Sequence, residues 1–145
     1  MIALASDHAG FEYKERLKKL LEELNLPYLD FGTLSKDSTD YPEWGHKASA
    51  AVSAGECDRG ILVCGTGIGM SIVANKHKGI RAAACESVTA ARLARQHNDA
   101  NVLAVGERIA GWESVVDIVK VFLSTPFEGG RHGRRVEKIH SLTEK

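Results

Sequence analysis

Cys64 closes an apolar run, Ile61-Leu-Val-Cys64, and opens the glycine-rich stretch Gly65-Thr66-Gly67-Ile68-Gly69. A thiol at that point can act as a base, a nucleophile or a metal ligand. It can equally be a small core residue, since free cysteines are among the most buried side chains. The glycines expose backbone N–H groups at the start of a helix, which can cradle an anion or a developing oxyanion. Their other use is a tight turn with close helix packing. Neither common nucleotide motif fits: no Lys-Ser/Thr follows the glycines, and they run G-x-G-x-G after a third apolar run, while the first strand–helix turn holds only Gly10.

Three further groups could join this chemistry. Asp7-His8 follows the first apolar run, where a carboxylate and an imidazole suit acid–base or hydroxyl-binding work; the plainer roles are a helix cap and a turn. His97-Asn98 ends a predicted helix, as a dipole-favoured terminal histidine or as part of a site completed by another subunit. Arg131 and Arg135 stand i,i+4 and share a helix face suited to a phosphate, or simply form a solvated basic face. Cys57 and Cys85 read as structural. No His/Cys/Asp cluster shows metal-ligand spacing, so no metal is expected.

The elements that must position these residues alternate in type. Short apolar runs at Met1 to Ser6, Tyr28 to Phe31, Gly60 to Cys64, Arg81 to Cys85 and Val102 to Val105 predict five strands. Between them, Leu17, Leu20, Leu21 and Leu24 recur at helical spacing, Pro42 can open a helix, Ser87 is a good N-cap, and Trp112 to Leu123 reads as a helix ending before Pro126. Arg131 to Leu142 predicts an extra C-terminal helix. This pattern implies an α/β fold: a three-layer αβα, Rossmann-like, doubly wound sheet of five parallel strands, expected in the order 2-1-3-4-5. In that order the first and third strands are neighbours, so the Asp7-His8 and Cys64 to Gly69 loops converge at the usual ligand crevice. His97 is then expected far from Cys64 of its own chain.

The 145 residues suit one domain, residues 1–145. With 43% hydrophobic and 26% charged residues and zero formal net charge, nothing suggests a nucleic-acid or membrane partner. Three cysteines without a C-x-x-C pair, and a start that runs directly into a strand, predict a reduced, cytoplasmic setting.

Together, Ala5-Ser-Asp7-His8-Ala-Gly10, Asp40-Tyr41-Pro42, the Cys64 to Met70 loop, Gln96-His97-Asn98-Asp-Ala-Asn101, Gly130-Arg131-His132 and Arg135-Val-Glu-Lys-Ile139 resemble the type B ribose-5-phosphate isomerase family. That family includes allose- and galactose-6-phosphate isomerases. The resemblance implies cofactor-free interconversion of ribose 5-phosphate and ribulose 5-phosphate, in the non-oxidative pentose phosphate pathway, with Cys64 moving a proton between C2 and C1. It implies that Gly65, Thr66, Gly67, Ile68 and Gly69 stabilise the enediolate and that His97 assists ring opening. Asp7, Tyr41 and Asn98 would contact the sugar, and His8, Arg131 and Arg135 the phosphate. If His97 and the arginines belong to the site, a homodimer with shared sites follows, or a tetramer built from it. The competing expectations are a hexose 6-phosphate isomerase, a non-catalytic sugar-phosphate binding module that needs no Cys64, and a thiol redox enzyme, for which no resolving cysteine is visible.

Overall fold

The computed structural model describes residues 1–145 and contains five strands and six helices. They run β1 (Ile2–Ser6), α1 (Phe11–Glu23), β2 (Tyr28–Asp30), α2 (Tyr41–Ser53), β3 (Arg59–Cys64), α3 (Ile68–Ala74), β4 (Ala82–Ala84), α4 (Val88–Asn98), β5 (Val102–Gly106), α5 (Trp112–Ser124) and α6 (Arg131–Thr143). Every strand pairing is parallel. The expected boundaries hold to within a residue or two, with α2 beginning one residue early at Tyr41 and β4 losing one residue at each end to leave three alanines.

Local chemistry explains the helices. Pro42 sits in the first turn of α2, where its missing N–H costs nothing. Ser87 caps α4 by accepting the Ala90 N–H at 3.0 Å, and Arg95 and His97 sit favourably in that helix's last turn. Leu17, Leu20 and Leu21 form the buried stripe of α1.

Two cores sandwich the sheet. On one face Leu4, Ile61, Val63, Leu103 and Val105 meet α1, α4 and α5, where Phe122 and Ile118 are fully buried. On the other face Ala3, Ala5, Leu62, Cys64 and Ala104 meet α2 and α3 through Ala48, Ala51, Met70 and Ala74. The alternation follows the two-residue period of a strand. The small residues of the second face let α2 and α3 lie close to the sheet.

The strand order is β2-β1-β3-β5-β4, which corrects the expected 2-1-3-4-5. All five residues of β5 are buried, so it needs a strand on each side. The three alanines of β4 are half-buried or exposed and tolerate the edge. The exchange does not touch β1 and β3, which remain neighbours with Ser6 opposite Val63. It brings β5 beside β3, with Gly106 opposite Cys64.

Candidate active site

The site lies at the carboxyl ends of β1, β3 and β5. Cys64 is buried, and its Sγ accepts the Gly67 N–H at 3.1 Å. Gly67 takes φ 79°, a left-handed conformation that turns the chain into α3 and that suits glycine. Thr66 Oγ1 accepts the Ile68 N–H at 3.2 Å, tightening the same turn. The amides of Gly65, Thr66 and Gly69 donate to no group in the chain. The loop thus presents three unengaged N–H groups beside a thiol. Tyr41 lies over it: a side chain on Gly69 would meet the Tyr41 ring at 2.7 Å.

Asp7 and His8 reach the crevice from β1. Asp7 is buried, its N–H donates to the Val63 carbonyl at 3.3 Å, and its Oδ1 accepts the Gly10 N–H at 3.0 Å. Gly10 itself is the N-cap of α1 and no side chain caps that helix, so Asp7 braces the turn before the helix instead of capping it. A Cβ on Gly10 would fall 2.6 Å from the Val63 backbone, so only glycine lets the first loop sit this close to β3. His8 Nδ1 accepts the Thr39 N–H at 3.1 Å. The ring is thus tied to the segment that enters α2.

Glu107 and Arg108 join the site unannounced by the sequence. The Glu107 N–H donates to the Cys64 carbonyl at 2.9 Å and the Arg108 N–H to the Gly65 carbonyl at 3.0 Å. The Arg108 guanidinium lies 3.3 Å from where a Gly65 side chain would begin, placing a cation at the loop mouth. The Glu107 carboxyl is raised above its usual range, first by burial, which the Tyr13 N–H it accepts at 2.7 Å only partly offsets. The signal was Gly106-Glu107-Arg108 directly after an apolar strand. It becomes readable only once β5 is known to border β3.

His97, Asn98, Arg131 and Arg135 lie elsewhere. His97 ends α4, which returns to the amino-end edge of the sheet, and its ring stacks on His132 at 4.4 Å between centroids. The Asn98 carbonyl accepts from Arg81 at the start of β4. Arg131 and Arg135 are exposed on the first turns of α6, beside that histidine pair. Burial first, then the charges of His97 and Arg131, push His132 below the ordinary histidine range. Glu128 completes a His97–Glu128–His132 group that sequence spacing did not reveal, because its members span three segments.

The remaining cysteines are buried and free. Burial raises the Cys85 thiol to about 11, and burial likewise raises Cys57, which suits their expected structural role. No helix is long and apolar enough to cross a membrane.

The comparisons agree with one another. A family profile described as Ribose/Galactose Isomerase matches residues 2–139. The chain is 46% identical over 144 residues to ribose-5-phosphate isomerase B of Escherichia coli, covering 99% of this chain and 97% of that one. It is 47% identical over 145 residues to the Bacillus subtilis protein named putative sugar phosphate isomerase YwlF, with the same coverage. The structure of ribose-5-phosphate isomerase B from Clostridium thermocellum superposes with a TM-score of 0.97 at 48% identity, over 99% of this chain and 97% of that one. The Mycoplasma genitalium enzyme with bound ribulose 5-phosphate superposes with a TM-score of 0.95 at 38% identity, over 99% and 96%.

Proposed function

The chain belongs to the ribose/galactose isomerase family, and from that premise we propose that it interconverts D-ribose 5-phosphate and D-ribulose 5-phosphate through an enediolate, with Cys64 as the proton-transfer base. The observation that carries this reading is the Cys64 loop itself: a buried thiol held by the Gly67 N–H, beside three unengaged amides.

The geometry supports the following steps. In the thiolate form Cys64 takes the C2 proton of the open-chain aldose and returns it at C1, while the hydroxyl proton moves from O2 to O1. The Gly67 N–H donates to the sulfur and stabilises the thiolate. Negative charge builds on the enediolate oxygens, and the amides of Gly65, Thr66 and Gly69 are oriented before it appears. Fixed donors of this kind are worth about 3 kcal/mol each in barrier lowering. Asp7, with one oxygen engaged by the Gly10 N–H, accepts from sugar hydroxyls with the other.

Phosphate binding divides between chains. His8 lies in the crevice of one chain, while Arg131, Arg135, Asn98 and the ring-opening His97 lie at the far edge of the sheet. A dimer in which His97 and the two arginines of the partner subunit close over the Cys64 loop unites them. The same reading has the enzyme working in the cytoplasm, in the non-oxidative pentose phosphate pathway.

Washing solvent deuterium into substrate C2 tests the base. The wild type exchanges the label during turnover. Cys64→Ala is expected to lose exchange by at least about 100-fold while still binding the sugar phosphate. Undiminished exchange in that variant removes Cys64 from the mechanism, and loss of binding together with exchange would point to a structural thiol.

A further inference from the structure

The donor atoms of His97, Glu128 and His132 all lie within 4.8 Å of one another. They arrive from the last turn of α4, the segment joining α5 to α6, and the first turn of α6. Backbone hydrogen bonds hold those segments together: the Glu128 N–H donates to the Gln96 carbonyl and the His132 N–H to the Gly129 carbonyl, both at 3.1 Å. His97 Nε2 stands 3.6 Å from Glu128 Oε1, near the roughly 3.4 Å that separates two donors on a tetrahedral zinc ion.

Two imidazoles and one carboxylate form a donor set that suits a borderline divalent cation and leaves a fourth position for water. In the single chain the His97 and Glu128 side chains are 40% and 48% exposed, so the cluster is not sealed by its own fold. The neighbouring Arg131, Arg134 and Arg135 are exposed as well, and solvent screens their charge.

We propose that His97, Glu128 and His132 bind a late first-row divalent cation of the zinc class, and that its capture withdraws His97 from sugar-ring opening. The second half rests on the role given to His97 above. The two rings are stacked with planes 12° apart, and parallel rings cannot aim two lone pairs at one point. Capture must therefore turn a ring out of the stack. An ion held there makes the enzyme sensitive to free zinc without making it a metalloenzyme.

Cobalt(II) is the probe, titrated into the full-length, metal-stripped enzyme and followed by its visible ligand-field bands. The expected result is one ion per chain with intense bands of tetrahedral type. Glu128→Gln and His132→Gln should weaken binding by at least about 100-fold, while Cys64→Ala leaves it unchanged. Zinc should inhibit the wild type at concentrations that leave His132→Gln active. Binding that survives in both Glu128→Gln and His132→Gln, or that vanishes in Cys64→Ala, overturns the site. Binding at the cluster with turnover undiminished overturns the withdrawal of His97. Absence of isomerase activity in the metal-stripped enzyme would instead overturn the functional reading, and the cobalt titration would still decide the site.

Discussion

A backbone amide chooses the tautomer of His8. The Thr39 N–H points at Nδ1, so the neutral ring carries its proton on Nε2 and offers a donor to an anionic oxygen. Nitrogen-15 NMR of the ring should show the Nε2–H tautomer in the free enzyme. Thr39→Pro removes the amide and is expected to mix the tautomers and raise KM for the sugar phosphate about five- to tenfold, with kcat little changed. Thr39→Val also loses the hydroxyl that accepts from Trp44, but keeps the amide and should keep the tautomer. A KM unchanged in Thr39→Pro would show that His8 does not hold the phosphate. At this scale the sequence was legible where polar groups stand at strand ends: Asp7 and His8 follow an apolar run and Cys64 closes one. It was silent about Thr39, whose contribution is an N–H that every residue but proline owns. It was silent about Arg108 too, because a lone arginine after Gly106 gains meaning only from the neighbouring loop.

The first helix is fastened by a buried charge. Lys14 is fully buried, and its Nζ donates to both Asp30 oxygens and to the Thr33 carbonyl, each at 2.7 Å. This ties α1 to β2 and to the loop that carries Thr39 towards His8. Burial opposes ionisation of Asp30, but hydrogen bonds from Lys14, the Gly32 N–H and Lys18, with the charge of Lys14, hold its carboxyl below the usual range. A lowered folded-state pKa adds stability above the unfolded value and loses it as pH falls through the folded one. Asp30→Asn strands the Lys14 ammonium and should cost about 3 kcal/mol at neutral pH. Denaturant titrations of the two proteins should begin to converge as pH falls below about 4, where the unfolded carboxyl takes up its proton, and should meet only at lower pH, once the folded-state carboxyl protonates as well. A gap that stays constant with pH would show packing, not charge, to be responsible. The sequence revealed the helical stripe of α1 but not Lys14, since a lysine two turns from Asp7 looks like any solvated cation. The β4/β5 exchange was hidden for a similar reason. Both runs are short and apolar, and the longer and fully buried one takes the interior place.

The single chain leaves its crevice open. Four surface cavities indent it, the largest about 360 Å³ between α1 and α5 and lined by Arg16, Leu20 and Trp112, yet residues 7, 8 and 64–69 line none of them. A small-molecule site normally encloses most of its ligand, and the proposed dimer would supply that wall by laying a second chain over the crevice. Exposed apolar residues surround the mouth and mark where it would dock: Tyr41, Ile68, Ile72 and Ile109. Ile139 and Leu142 on α6 are also exposed, so the tail has an apolar face left to cover. The topology is the ground for proposing a partner, because a helix returning to the far edge cannot bring His97 to Cys64 of its own chain. Which faces meet was beyond the sequence, since exposure belongs to the folded surface.

That separation has a genetic consequence. Cys64 and His97 occupy opposite edges of one sheet, so in the proposed dimer with shared sites a defect in either would strike a different catalytic unit. Two inactive alleles, Cys64→Ala and His97→Asn, should therefore complement. In a randomly mixed population half the dimers are hybrid, and each hybrid holds one intact unit beside one doubly broken unit. Co-expression should restore about a quarter of wild-type turnover from two dead proteins. Turnover no higher than that of either parent would place both residues in the same unit.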